Sequence, residues 1–126
     1  MADILPISSS AKSILRRLRS AESLIDGCAF VTRDGVVVAS EFDQGANSNR
    51  LGAMCATLLA LAQRTVMEVK KGELAQLIVD GTSGLMIISP AGSGILAVVA
   101  NRKVKLGLLI LEAKKASKEF EKIETS

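Results

Sequence analysis

The stretch from Asn47 to Gly72 limits what this chain can fold into. It opens on residues able to cap a helix (Asn47, Ser48 or Asn49), contains no proline and closes on a glycine, which predicts one helix across the span. At about 1.5 Å per residue such a helix crosses a small domain from side to side. Leu51, Met54, Cys55, Leu58, Ala62, Thr65 and Val69 fall at helical spacing on one side and form the expected core stripe. The opposite side carries Ala53, Ala56, Ala60 and Met67, with Gly52 and Thr57 alongside, and charge only at Arg50, Arg64, Glu68, Lys70 and Lys71. A helix that merely roofed a core would carry lysine and glutamate along its whole outer side. A small, apolar outer side admits another surface at close range, and in a chain this short the expected surface is a second copy.

The 126 residues suffice for one buried core and not for two, so one domain is expected over 1–126, its core at about 10–123. A hydrophobic fraction of 48% and a mean hydropathy of +0.34 exclude disorder. No apolar run approaches the roughly 20 residues of a membrane span. Met1 to Ile7 lacks the basic start of a signal peptide, so a cytoplasmic location is expected. The net charge of +3 does not predict a nucleic-acid partner, because three Phe without Trp or Tyr leave few rings on which bases could stack. The nearest thing to a basic patch, Lys12, Arg16, Arg17 and Arg19, reads as the solvated side of a first helix. Cys28 and Cys55 sit among apolar neighbours and read as reduced, structural residues. The absence of histidine removes the commonest general base and the commonest metal ligand.

Taken in order, the first helix is expected from Ser10 to Leu24, capped within Ser8–Ser10, with Ala11, Ile14, Leu15, Leu18 and Ile25 inward and Asp26-Gly27 ending it. Cys28 to Thr32 and Val36 to Ser40 form a hairpin about a two-residue Asp34-Gly35 turn, and Glu41 to Ala46 is a loop. After the long helix come three strands, Leu74–Val79, Leu85–Ser89 and Ile95–Ala100, joined by short turns that force antiparallel neighbours. The last two strands do not alternate apolar with polar, so both of their faces must be covered. Leu106 to Ile123 is the last helix, with Leu106, Leu109, Ile110, Ala113, Ala116, Phe120 and Ile123 inward and Lys115 paired with Glu119 outside. The simplest arrangement is an α+β fold of order α-β-β-α-β-β-β-α: a five-stranded antiparallel sheet with the middle helix on one face and the terminal helices on the other.

This order and its local wording resemble the Roadblock family, which includes roadblock-type dynein light chains and MglB-type regulators of small GTPases. The matching residues are Ile25-Asp26-Gly27-Cys28-Ala29 leading into Arg33-Asp34-Gly35-Val36-Val37-Val38-Ala39-Ser40. Further on come Leu77-Ile78-Val79, Leu85-Met86-Ile87, Ile95-Leu96-Ala97-Val98-Val99 and Lys105-Leu106-Gly107-Leu108-Leu109. The resemblance covers about 14–123 and rests on the spacing of glycines and apolar runs. It implies dimers in which middle helices pack together and the strand after them pairs with its partner, here Leu74 to Asp80. An edge strand needs such cover, and this one, with Ala75 and Gln76 inside it, is the most polar of the last three.

Catalysis finds no support in the residues. The pairs Asp26-Gly27, Asp34-Gly35 and Asp80-Gly81 read as turn chemistry rather than metal or acid–base carboxylates. Ser89-Pro90-Ala91-Gly92-Ser93-Gly94 opens a strand and not a helix, so it reads as a hairpin and not as a phosphate loop. Arg50 and Arg64 could be imagined as arginine fingers, but rim contacts are the plainer role. The expectation is therefore a homodimer without cofactor, metal or catalytic residues, which binds a small Ras-like GTPase and regulates it. Its dimer interface is expected at Ala53, Ala56, Ala60, Met67, Leu74, Gln76 and Ile78, and its partner contacts at Arg50, Arg64, Glu68 and Lys71. The alternatives are a profilin-like or PAS-like small-molecule sensor, in which Thr32 and Gln76 would orient the ligand, and an adaptor subunit of a motor or membrane-associated complex.

Overall fold

A computed structural model of the chain describes residues 4–43 and 47–125. The element order is the expected one: α1 (Ile4–Ala21), β1 (Ile25–Val31), β2 (Val37–Phe42), α2 (Ser48–Glu68), β3 (Leu77–Gly81), β4 (Gly84–Ala91), β5 (Gly94–Asn101) and α3 (Leu106–Thr125). All strands pair antiparallel in one sheet of order β2-β1-β5-β4-β3.

Side-chain alternation along the central strands divides the core in two. Cys28, Phe30, Leu96, Val98 and Ala100 point to the face covered by α1 and α3, where they meet Ile14, Leu15, Leu18, Leu109, Ala113, Ala116 and Phe120. Ala29, Val31, Ile95 and Ala97 point the other way, onto Cys55 and Leu59 of α2. The continuous apolar runs of β1 and β5 thus have two dry faces to fill. On the α1–α3 side the Phe30 ring stacks on Phe120, centroids 4.1 Å apart and planes within 4°.

Several boundaries differ from the expected ones. The first helix begins at Ile4, so Ser8 to Ser10 lie inside it and do not cap it, while Pro6 falls in its first turn, where the missing N–H is not needed. It ends at Ala21, and Leu24 lies beyond it. Asp26-Gly27 is not the helix stop but part of β1, beside a register shift against β5. Gly27 leaves room for the Phe42 ring, since a Cβ there would lie 2.1 Å from it and the ring would have to move aside. The β1–β2 turn is wider than two residues: Thr32 O accepts from Gly35 N at 3.0 Å and Thr32 N donates to Val36 O at 2.8 Å. Arg33-Asp34 is therefore the centre of the turn, and Gly35 follows in the left-handed region at φ 95°. Glu41 belongs to β2, and the rest of the loop expected up to Ala46 lies, for residues 44–46, outside the described residues.

The β3–β4 and β4–β5 turns are tighter than expected, two residues each, because the strands run further. Pro90 is inside β4, but β3 pairs with β4 only as far as Ile88, so its missing N–H breaks no ladder there. Lys115 meets Glu112 at 3.4 Å and not Glu119, which pairs with Arg17 at 2.8 Å.

Candidate functional site: the outer face of α2 and the β3 edge

Asn47 caps α2, its Oδ1 accepting from Arg50 N at 3.1 Å. The helix ends at Glu68 and not at Gly72. Lys70 N donates to Met67 O and Lys71 N to Val66 O, both at 3.0 Å, with Lys70 in the left-handed region at φ 59°, which is a Schellman closure.

The helix is rotated relative to the expected stripe. Its buried residues are Gly52, Cys55 and Leu59, with Leu51 and Ala56 partly buried beside them. Gly52 is no outer-face residue: a Cβ there would lie 2.9 Å from Gly35 O and 2.8 Å from Val37 Cγ2, so the missing side chain is what seats α2 on the β1–β2 hairpin. Met54, Leu58, Thr65 and Val69, expected in the core, are exposed, Met54 at 54% and Val69 at 58%. The cause is that apolar residues occur on both sides of this helix, so spacing alone does not fix its rotation.

The outer face is consequently more apolar than expected. It holds Ala53, Met54, Thr57, Leu58, Ala60 and Leu61, the last 63% exposed, with Met67 exposed near the end. Thr57 Oγ1 donates to Ala53 O at 3.1 Å and Thr65 Oγ1 to Leu61 O at 2.8 Å. Both hydroxyls are satisfied by the helix itself and leave methyl groups outward. Ala53, Thr57, Ala60, Leu61 and Arg64 line a shallow groove against Arg33 and Asp34 of the hairpin. Ala56 also borders it but is half-buried against Gly35. Sequence reasoning missed Leu61 and misplaced Met54 and Leu58; their own i, i+4, i+7 spacing was the available signal.

The partner residues named from the sequence lie around this face. Arg50, Arg64, Glu68 and Lys71 are exposed and make no ion pair with described residues. Leu74 and Gln76 precede β3 and are not in it; Leu74 packs on the α2-side core and donates its N–H to Gln63 Oε1 at 3.2 Å. That bond sets the approach to β3 beside the second half of α2. Within β3, Ile78 and Val79 are exposed, at 37% and 38%, and the strand pairs only with β4.

The two sheet edges are treated differently. On β2, Ser8 Oγ donates to Val38 O at 3.1 Å and Lys12 Nζ to Ser40 O at 2.7 Å, so α1 occupies carbonyls of that edge strand. Lys12 and Arg16 also hold Glu41, at 3.3 and 3.1 Å, and Arg19 meets Asp43 at 2.8 Å. Burial pushes the Glu41 carboxyl up, but the hydrogen bonds and charges of Lys12 and Arg16 outweigh it and hold it below its usual range. The basic side of α1 is solvated as expected, with Arg16 and Arg17 exposed, and each of its four cations also meets a carboxylate. On β3 the comparable contact among the described residues is at its end, where Arg102 donates to Gly81 O at 2.9 Å and pairs with Asp80; no helix side chain occupies the carbonyls of Leu77 to Val79.

The carboxylates raised as candidate sites do not converge. Asp34 accepts from Thr32 Oγ1 in the turn, so Thr32 is engaged locally, and Asp80 pairs with Arg102. Among the described residues no group of three or more Cys, Asp or Glu could hold a metal ion. No helix among them is long and apolar enough to cross a membrane.

The family model of the Roadblock/LC7 domain matches residues 12–101, from within α1 to the end of β5. The chain belongs to the Roadblock/LC7 family. A relative in Methanocaldococcus jannaschii, the protein MJ1340, is 34% identical over 107 residues, 85% of this chain and 93% of its own length. Among solved structures, Myxococcus xanthus MglB superposes with a TM-score of 0.86 at 22% identity, over 94% of this chain and 90% of that one. A Roadblock/LC7 domain from Streptomyces avermitilis superposes with a TM-score of 0.84 at 20% identity, over 91% and 98%. At these identities the structural likeness is one of fold: the Roadblock/LC7 sheet with one helix on one face and two on the other.

Proposed function

We propose that this Roadblock/LC7 chain is a cytoplasmic, non-catalytic interaction module that works as a homodimer and binds a small Ras-like GTPase. The observation that carries the reading is the outer face of α2, where Ala53, Met54, Leu58, Ala60 and Leu61 stand exposed on a well-capped helix. Apolar surface on that scale favours burial against a partner. The open edge of β3 lies within reach of the same partner copy, since Leu74 and Gln63 tie its approach to α2. Ala53, Ala60, Met67, Leu74, Gln76 and Ile78 then belong to the seam between copies, with Ala56 at its buried margin. Arg50, Arg64, Glu68 and Lys71 place charge, unpaired among the described residues, toward the two ends of this face, which suits steering and orienting a GTPase more than raw affinity.

The test is capture of a purified small GTPase, loaded with GDP or with a non-hydrolysable GTP analogue, on the immobilised chain. Retention that differs between the two nucleotide states, and that Arg64→Glu weakens about tenfold or more, is the expected outcome. Equal failure with both states would count against GTPase binding while leaving the dimer to be judged separately.

A further inference from the structure

Unpaired positive charge lies before α3 and along its first two thirds. Between residues 102 and 118 the sequence places six lysines and arginines against one carboxylate, Glu112. Arg102 is taken by Asp80, and Glu112 turns into the cleft against α1, where it meets Lys115. Lys103, Lys105, Lys114 and Lys118 remain exposed, without an ion pair among the described residues. The contrast with α1 is sharp: Lys12, Arg16, Arg17 and Arg19 each have a carboxylate.

Leucines stand among these lysines. Leu106 is 40% exposed, Leu108 39% and Leu111 49%. Leu108 and Leu111 are three residues apart and share the side of α3 turned away from its anchors Leu109, Ala113, Ala116 and Phe120. Two clefts flank α3, one against Ile14 and Leu18 of α1, the other against Ala75 and Gln76 before β3 with Lys114 and Lys118 on its rim, and none of the three leucines lines either. Leu108 and Leu111 form a ridge, not a groove; Leu106, expected inward, is exposed at the start of the helix on the side of the anchors.

We infer that this leucine ridge, with its lysines, rests on an anionic lipid bilayer, α3 lying in the plane of the interface. A ridge offers no pocket for the side chains of a docking peptide but can sink into the soft boundary between headgroups and acyl chains. The free cations are all lysines, flexible point charges suited to mobile lipid phosphates, whereas fixed carboxylates are better matched by the arginine fork. Lysine stems extend the apolar surface while their ammonium groups stay at headgroup level. Two leucines insert weakly by themselves, so the attraction depends on both signals together. The α3 ridge is on the opposite face of the sheet from α2, so this inference does not rest on the GTPase reading.

The experiment is flotation of the full chain with phosphatidylcholine vesicles and with vesicles of about two parts phosphatidylcholine to one part phosphatidylglycerol. The chain should float with the anionic vesicles only, and about 0.5 M salt, which shortens the Debye length to about 4 Å, should release it. Leu108→Glu/Leu111→Glu should lower partitioning about tenfold or more, and Lys105→Gln/Lys114→Gln/Lys118→Gln by a similar factor, both with unchanged circular dichroism. Binding to neither vesicle, equal binding to both, or indifference to both variants would overturn it. So would retention on polyglutamate, through the same residues, of a chain that ignores anionic vesicles, which would assign the ridge to an acidic protein.

Discussion

Cys28 and Cys55 have no solvent exposure and lie on opposite faces of the sheet. Burial pushes the Cys28 thiol up to about 12, with Arg19 only partly opposing it, and the Cys55 thiol up to about 11, from an ordinary 9.0. Cys28 Sγ spends its proton on Leu15 O, 3.5 Å away. Both residues behave as small hydrophobes, as their apolar neighbours in the sequence imply. Unfolded thiols ionise near pH 9 while the folded ones stay protonated, so the unfolded state gains as pH rises. Their contribution to stability is whole below about pH 9 and drains between there and the folded-state values, by roughly 1 kcal/mol per thiol per pH unit. Urea unfolding at about pH 8 and pH 10 should register this loss, and the Cys28→Ala/Cys55→Ala variant should lose less stability over the same interval. Iodoacetamide at neutral pH should label neither thiol until denaturant opens the fold.

Among the elements, α2 depends on a single missing side chain. Gly52 lets the helix axis approach the β1–β2 hairpin so closely that an added methyl meets the carbonyl of Gly35, a backbone atom that cannot swing aside. Alanine is the better helix former by about 1 kcal/mol, yet the overlap outweighs that gain, and Gly52→Ala should lower stability by a net of about 1–3 kcal/mol. A denaturant midpoint equal to or above that of the wild type would refute this seating. The same position explains what the sequence revealed and what it hid. The element order, the two-sided burial of β1 and β5 and the inward stripes of α1 and α3 follow from periodicity, because in those elements the apolar residues at core spacing face protein, although α3 also carries Leu106, Leu108 and Leu111 exposed. In α2 apolar residues occupy both sides, so Met54 and Leu58 were as plausible inside as Leu59, and only the hairpin packing on Gly52 selects the rotation. The start of β3 was hidden for a related reason: Leu74 is apolar because it fills the core under α2, not because it alternates along a strand.

At the scale of the whole molecule, the asymmetry between the two sheet edges meets the asymmetry between the two sides of α2. The β2 edge is occupied by Ser8 and Lys12 of α1, while the β3 edge is unpaired and adjoins a helix whose outer side is alanine, leucine, methionine and threonine methyl. One second copy would cover both features, and a stable interface of this kind buries roughly 1,600 Å². The variant that tests this must change the seam without touching the fold. Ala56→Arg fails that requirement, since Ala56 is half-buried against Gly35 and its replacement would unseat the hairpin. Leu61 is 63% exposed, so Leu61→Glu places a carboxylate in solvent in the isolated chain and in a desolvated seam in the dimer. Such a charge should raise the dissociation constant about 100-fold, equivalent to about 3 kcal/mol. Sedimentation equilibrium at micromolar concentration should then give twice 13.2 kDa for the wild type and 13.2 kDa for Leu61→Glu, with matching circular dichroism. A wild type that sediments at 13.2 kDa would mean that α2 keeps its apolar side for another partner altogether.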